Sequence, residues 1–165
     1  MERPYWTAGV ALPTQPALDR DLTVDAVVVG GGITGATAAL LLKDAGMTVA
    51  LLERDRCGLA DTGHTSAHLT AVTDKTFPQL IEGFGRPHAE AIWDGGFAAL
   101  HEISQIVSQR EIECAFRWIP GYLTTPFEGS SDVEKDVATL KDIATEASLS
   151  GFDARMVDGV PGLPR

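Results

Sequence analysis

The residues best able to do chemistry in this 165-residue chain stand near its front. Gly30-Gly31-Gly32-Ile33-Thr34-Gly35 has the spacing G-x-G-x-x-G, and Glu53 follows eighteen residues after Gly35. Glycines cluster in many turns, so the pattern gains meaning only where it follows a strand and opens a helix. In that setting Gly30 permits a tight turn, Gly32 lets a pyrophosphate approach the backbone, and Gly35 lets the helix pack closely on the strand. The N–H groups at the helix start, Ile33 and Thr34 among them, point with the positive end of the helix dipole and can hold phosphate oxygens. Glu53 is placed to accept hydrogen bonds from both hydroxyls of an adenosine ribose, each worth about 1.5–3 kcal/mol when charge-assisted. The same carboxylate repels a 2′-phosphate, so the pattern selects FAD or NAD over NADP. The alternative is a glycine turn with an incidental acid at a strand end. No Gly-Lys-[Ser/Thr] follows the glycines, which excludes a P-loop.

These residues need elements to position them. Thr23 to Val29 is a short β-branched run, read as a strand buried on both faces. From Ile33 the spacing of Ala36, Ala39, Leu40 and Lys43 predicts a helix, with small Ala39 toward the sheet and Gly46 ending it. Met47 to Leu52 is the second buried strand, ending at Glu53. Strand, helix and strand in this order form a βαβ unit with a right-handed crossover, which makes the fold class α/β. Residues 54–75, rich in Thr, Gly and His, are expected to be a long loop with one helical turn, and loops of that length are usually functional.

Two helices are expected next, from Phe77 to Gly83 and from Pro87 to Gln109, with Gly95-Gly96 marking a close approach. Cys114 to Trp118 and Tyr122 to Thr125, around Ile119-Pro120-Gly121, read as a hairpin. Ser131 and Glu134 have capping-box spacing and open a helix that reaches Gly151, and Phe152 to Val157 reads as a further short strand. Residues 1–22, with Pro4, Pro13 and Pro16, read as an extended leader that Tyr5 and Trp6 can anchor. A third parallel strand, which a complete Rossmann half requires, has no strong candidate.

Composition removes whole classes of function. With 13 Lys+Arg against 23 Asp+Glu the net charge is −10, which opposes nucleic acid and anionic membranes as partners. No stretch approaches the roughly 20 apolar residues of a membrane span, and the N-terminus lacks the apolar segment of a secretory signal. Cys57 and Cys114 lack disulfide-framework or zinc spacing, so the expected location is cytoplasmic, with thiols reduced. Cys57 is read as a buried thiol or as a neighbour of the cofactor, and Trp93 and Trp118 as core. His64 and His68 are spaced i, i+4, but no Glu follows His64 and no third ligand is evident, so no metal is expected.

The stretch from Val27 to Leu40, then Gly46 to Arg54, resembles the N-terminus of FAD-dependent oxidoreductases of the D-amino acid oxidase, glycine oxidase and sarcosine oxidase superfamily. Asp61-Thr62-Gly63-His64-Thr65-Ser66-Ala67-His68-Leu69-Thr70 is similar to that family's second flavin-contacting loop, and the branch it resembles most often carries a C-terminal Rieske domain. The resemblance extends to Phe116 through Tyr122 and covers the N-terminal part of the family's length. It implies an incomplete Rossmann-like FAD-binding βαβ unit over residues 23–75, and helices with the first strands of a truncated substrate domain over 76–165.

In that reading Gly30, Gly32, Ile33, Thr34 and Gly35 cradle the pyrophosphate, Glu53 holds the ribose, and Arg54 lies beside the adenine-ribose end. Thr62, Gly63, His64 and Thr65 pass along the pyrophosphate and flavin. Some relatives attach FAD covalently to a histidine at the place of His64. Here Gly63 replaces the aromatic residue that precedes it and the following segment is one residue longer, so the resemblance favours FAD held non-covalently. The implied activity is oxidation of a small-molecule amine or amino acid by hydride transfer to FAD, with a complementing C-terminal chain as a partner. The alternative is a non-catalytic FAD- or NAD-binding remnant or truncated product. No catalytic residue can be nominated from these positions.

Overall fold

The computed structural model describes residues 4–9, 11–125 and 132–162. The chain divides into two compact units, Met1–His68 and Leu69–Arg165, at a point inside the long loop expected over residues 54–75.

The first unit contains β1 (Ala26–Val29), α1 (Ile33–Asp44), β2 (Val49–Leu52) and the single-turn helix α2 (Ala60–Gly63). β1 and β2 are parallel, with Ala26 opposite Val49 and Val29 opposite Leu52. Their beginnings are clasped by Asp25 and Thr48: Thr48 N and Thr48 Oγ1 donate to Asp25 Oδ2 at 2.8 and 2.6 Å, and Asp25 N donates to Thr48 Oγ1 at 3.0 Å. α1 ends in a Schellman pattern, Gly46 N to Lys43 O and Met47 N to Leu42 O, with Gly46 at φ 86°.

The unit is α/β, but its strands are shorter than the expected runs and β1 is not buried on both faces. Val27 is 57% exposed and Val29 is 81% exposed. The reason is the sheet's size: α1 packs against both strands on the side of Val28, and among the described residues the sheet has two strands. The leader contains a 3-10 turn at Tyr5–Thr7.

The second unit is helical: α3 (Phe77–Phe84), α4 (Arg86–Gln109) and α5 (Val133–Leu149). A capping box of Thr76 and Gln79 opens α3, and Gly85 at φ 80° turns the chain from α3 into α4, where Pro87 takes the second helical position. The expected cap at Ser131 lies outside the described residues; Asp132 caps α5, its Oδ1 accepting from Lys135 N at 3.0 Å. The core joins Phe77, Leu80, Ala89, Trp93 and Ala147. Three aromatic rings meet there, with centroids 4.8 Å apart for Phe77–Trp93, 5.5 Å for Phe77–Phe152 and 5.1 Å for Trp93–Phe152. Of the glycine pair in α4, Gly96 is in close contact, since a Cβ there would stand 2.9 Å from Ala71 Cα, while Gly95 faces open space.

Three expectations fail in this unit. Phe152 to Val157 is not a strand, because Gly151 at φ 88° turns the chain and Phe152 is drawn into the aromatic core, its N–H donating to Ala147 O at 3.1 Å. Cys114 to Thr125 is not a hairpin: Glu111 and Ala115 take positive φ, and Trp118 lies 5.1 Å from the His101 ring of α4 and 5.8 Å from Phe116. Two isolated strands are marginal without a third strand or a helix over them, so the ring contacts prevail. Trp118 is exposed and not core.

Two outcomes follow for stability. Phe77→Ala removes a side chain with 0% exposure and is expected to cost about 3–5 kcal/mol in denaturant unfolding of the full chain. Asp25 is held below the usual aspartate range by the Thr48 hydroxyl and then the Thr48 N–H, with slight desolvation opposing. A depressed folded pKa stabilises fully above the unfolded value of about 3.9 and is lost as pH falls through the folded one, so Thr48→Val should show a smaller loss of β1–β2 pairing below about pH 4 in an NMR acid titration.

Candidate functional site

The site is built where β1 runs into α1. Gly30 takes φ 101°, a value L side chains rarely adopt, while its N–H remains in the sheet through Leu52 O at 2.8 Å. Five residues on, a Cβ at Gly35 would lie 1.9 Å from Gly30 O and 3.3 Å from Val28 Cγ1, so only glycine lets α1 seat this close. Gly32 is the N-cap of α1 and has no side chain to satisfy the first helical N–H groups. That function falls to Thr62, whose Oγ1 accepts from Ile33 N at 3.0 Å and would lie 3.2 Å from a Cβ at Gly32.

Glu53 closes the other side. Its Oε2 accepts from Gly31 N at 2.6 Å and its Oε1 from Asp55 N at 2.9 Å. The Asp55 and Gly31 N–H groups, with help from Arg54, hold the carboxyl below the usual glutamate range against a small desolvation. This carboxylate therefore ties the end of β2 to the glycine turn after β1. Each oxygen accepts one backbone N–H and retains acceptor capacity.

Between these residues lies an open recess of about 250 Å³ whose lining includes Gly32, Glu53, Arg54, Leu59, Ala60 and Thr62. Arg54 projects into solvent, 92% exposed, with its Nε 3.4 Å from Asp55 Oδ2. Cys57 is exposed and not buried, and it sits over the glycine turn: a Cβ at Gly31 would meet its Sγ at 2.5 Å, and Gly58 N donates to Gly31 O at 2.9 Å.

The turn beyond α2 is tightly tied. Gly63 is buried, and a Cβ there would stand 2.8 Å from Gly58 O. His64 Nδ1 lies 2.6 Å from Ala60 O, and since a carbonyl oxygen can only accept, Nδ1 is the donor. Thr65 O accepts from Trp6 Nε1 at 2.7 Å, and Thr65 Oγ1 accepts from Ala67 N at 3.2 Å.

The structure thus brings together Gly30, Gly32, Ile33, Thr34, Gly35, Glu53 and Thr62, with Gly63, His64 and Thr65 on the adjoining turn. Asp55, Arg56, Leu59 and Ala60 also line the recess; nothing in the sequence singles them out beyond their place after the strand end that carries Glu53. The Trp6–Thr65 bond joins residues 59 apart, and no spacing rule signals it. Among the described residues no group of three or more His, Cys, Asp and Glu is placed to hold a metal ion, and no helix is long and apolar enough to cross a membrane.

Comparison with known proteins points the same way as the geometry. The chain is 35% identical over 126 residues to YhfW of Bacillus subtilis (strain 168), named as a Rieske 2Fe-2S iron-sulfur protein, covering 76% of this chain and 25% of that one. It is 30% identical over 125 residues to the gamma-glutamylputrescine oxidoreductase of Escherichia coli (strain K12), covering 76% of this chain and 28% of that one. The chain therefore spans about a quarter of the length of the curated relatives it matches. No solved structure gives a significant match. The model of the FAD-dependent oxidoreductase family (DAO) matches residues 25–163, nearly the whole chain, and the chain belongs to that family.

Proposed function

We propose that residues 23–75 form a Rossmann-like FAD-binding unit and that the chain supplies the dinucleotide-binding front of an oxidoreductase acting on a small amine or amino acid. The observation that carries this reading is the convergence of the α1 start, the Glu53 carboxylate and Thr62 on one recess.

The residues fit the group. Gly32 offers backbone without a Cβ, and the first turn of α1 presents N–H groups that have no acceptor within the helix, the one at Ile33 being capped by Thr62. The Thr62 hydroxyl at Ile33 N stands where an anionic oxygen would be accepted. Glu53 accepts one N–H on each oxygen and can accept ribose hydroxyls on the remaining lone pairs. When bound, FAD supplies the hydride-accepting ring, while the chain's part is to bind and orient it.

In this reading Gly30, Gly32, Ile33, Thr34 and Gly35 hold the pyrophosphate, Glu53 the ribose, Arg54 the solvent-facing adenine end, and Thr62, Gly63, His64 and Thr65 the flavin side. His64 is turned to the Ala60 carbonyl through Nδ1; the non-covalent reading is supported by Gly63 before it and by the longer segment after it. Helices α3 to α5 belong to the substrate-domain side. The amine class is supported by the name of the Escherichia coli relative, whose substrate carries an amino group. No residue of this chain is assigned a catalytic role.

The purified full chain, loaded with FAD, is expected to show a flavin absorption band and to quench flavin fluorescence on titration. Glu53→Gln should weaken binding at least about tenfold, the equivalent of one lost charge-assisted hydrogen bond. Equal affinity for NAD, or no flavin binding by folded protein, would sink this assignment. After acid denaturation the colour is expected to leave the polypeptide; colour that stays would place a covalent bond at His64 once His64→Ala abolishes it.

A further inference from the structure

The family match begins at residue 25, and yet the segment before it is bonded to the turn that adjoins the recess. Tyr5–Thr7 forms one 3-10 turn, closed by Thr7 N to Pro4 O at 3.1 Å and Thr7 Oγ1 to the same oxygen at 3.2 Å. The Tyr5 ring meets the Trp6 ring edge-on at 4.9 Å. From there Trp6 Nε1 donates to Thr65 O at 2.7 Å. Independently, the Thr7 methyl carbon lies 3.6 Å from where a Cβ on buried Gly63 would stand. A hydrogen bond to Thr65 and a methyl group beside Gly63 thus converge on the same turn.

That turn has reason to need a restraint. α2 is a single helical turn, too short to be stable alone, and its first residue Ala60 takes φ 54°. On the recess side it is attached through Thr62 Oγ1 to Ile33 N. On the other side, among the described residues, Trp6 is bonded to Thr65 and Thr7 lies beside Gly63.

We propose that Pro4–Thr7 is a clip that holds the Ala60–Thr65 turn against the start of α1, and that Trp6 is a positioning residue for FAD retention. The retention role rests on the recess being the FAD site; the clip itself does not. Thr62 stays in place as a wall of the recess only while the turn is seated, so loosening Trp6 raises the rate at which the site opens.

The test uses the full chain with Trp6→Phe, which keeps a ring and removes the N–H, and Trp6→Ala. Amide hydrogen exchange is followed in the FAD-free protein, alongside FAD affinity by fluorescence titration and the thermal midpoint. Trp6→Phe is expected to speed exchange over residues 58–66 about three- to tenfold, the equivalent of one hydrogen bond, and Trp6→Ala at least as much. Exchange in α3 to α5 should not change, and FAD affinity should fall by the same factor with the thermal midpoint retained. Unchanged exchange over 58–66 in both variants overturns the clip. Faster exchange with parental FAD affinity overturns the positioning role. A parent chain that folds but binds no FAD overturns the cofactor reading and the retention role with it, while the exchange data still decide whether Pro4–Thr7 holds the turn.

Discussion

A carbonyl oxygen stands where a side chain would begin: Gly30 O lies 1.9 Å from the position of a Cβ on residue 35. Because that place is empty, α1 can settle on β1 with its first turn at the mouth of the sheet. The parallel pairing of β1 and β2 follows from the same placement, since α1 is the crossover that returns the chain in the same direction. So does the exposure of the helix start to whatever enters the recess. A single methyl group at residue 35 would force strand and helix apart and undo the arrangement that makes backbone N–H groups available.

The second bond of consequence is Glu53 Oε2 to Gly31 N. It converts an acid at a strand end into a strut between the two strand ends, and after the Asp55 N–H it is the next cause that favours the ionised carboxyl there. The strut still lines the recess, and its carboxylate has acceptor capacity beyond the two N–H groups it already takes. Thr62 is used in the same double way, as the missing cap of α1 and as part of the recess wall. Economy of this kind suits a unit whose sheet has two strands and whose α1 contains no fully buried residue.

The second unit obeys a different rule. Its cohesion comes from aromatic packing of Phe77, Trp93 and Phe152 between helices and the chain after α5, with an ion pair of Arg86 and Glu146 joining α4 to α5. That packing explains which local preferences lost. Phe152 has strand-forming character, but its burial against two rings outweighs an unpaired strand. The Cys114 to Thr125 segment has alternating aromatics and a Pro-Gly turn, yet among the described residues no sheet edge is paired with it, and its rings settle on α4 and on one another.

Elements whose signal is local were legible from the residues: the glycine spacing, the helix from Ile33, its end at Gly46, the single turn in the long loop, and α3, α4 and α5 to within a few residues. Backbone sterics and helix periodicity act over a few positions, and these can be read in order along the chain. Tertiary structure alone decided that Thr62 caps α1, that Glu53 is bonded to Gly31, that β1 is exposed on one side, and that Trp6 reaches Thr65. Each depends on groups far apart in sequence meeting in space, and no local preference encodes which hydroxyl, carbonyl or ring will be within reach once the backbone has closed.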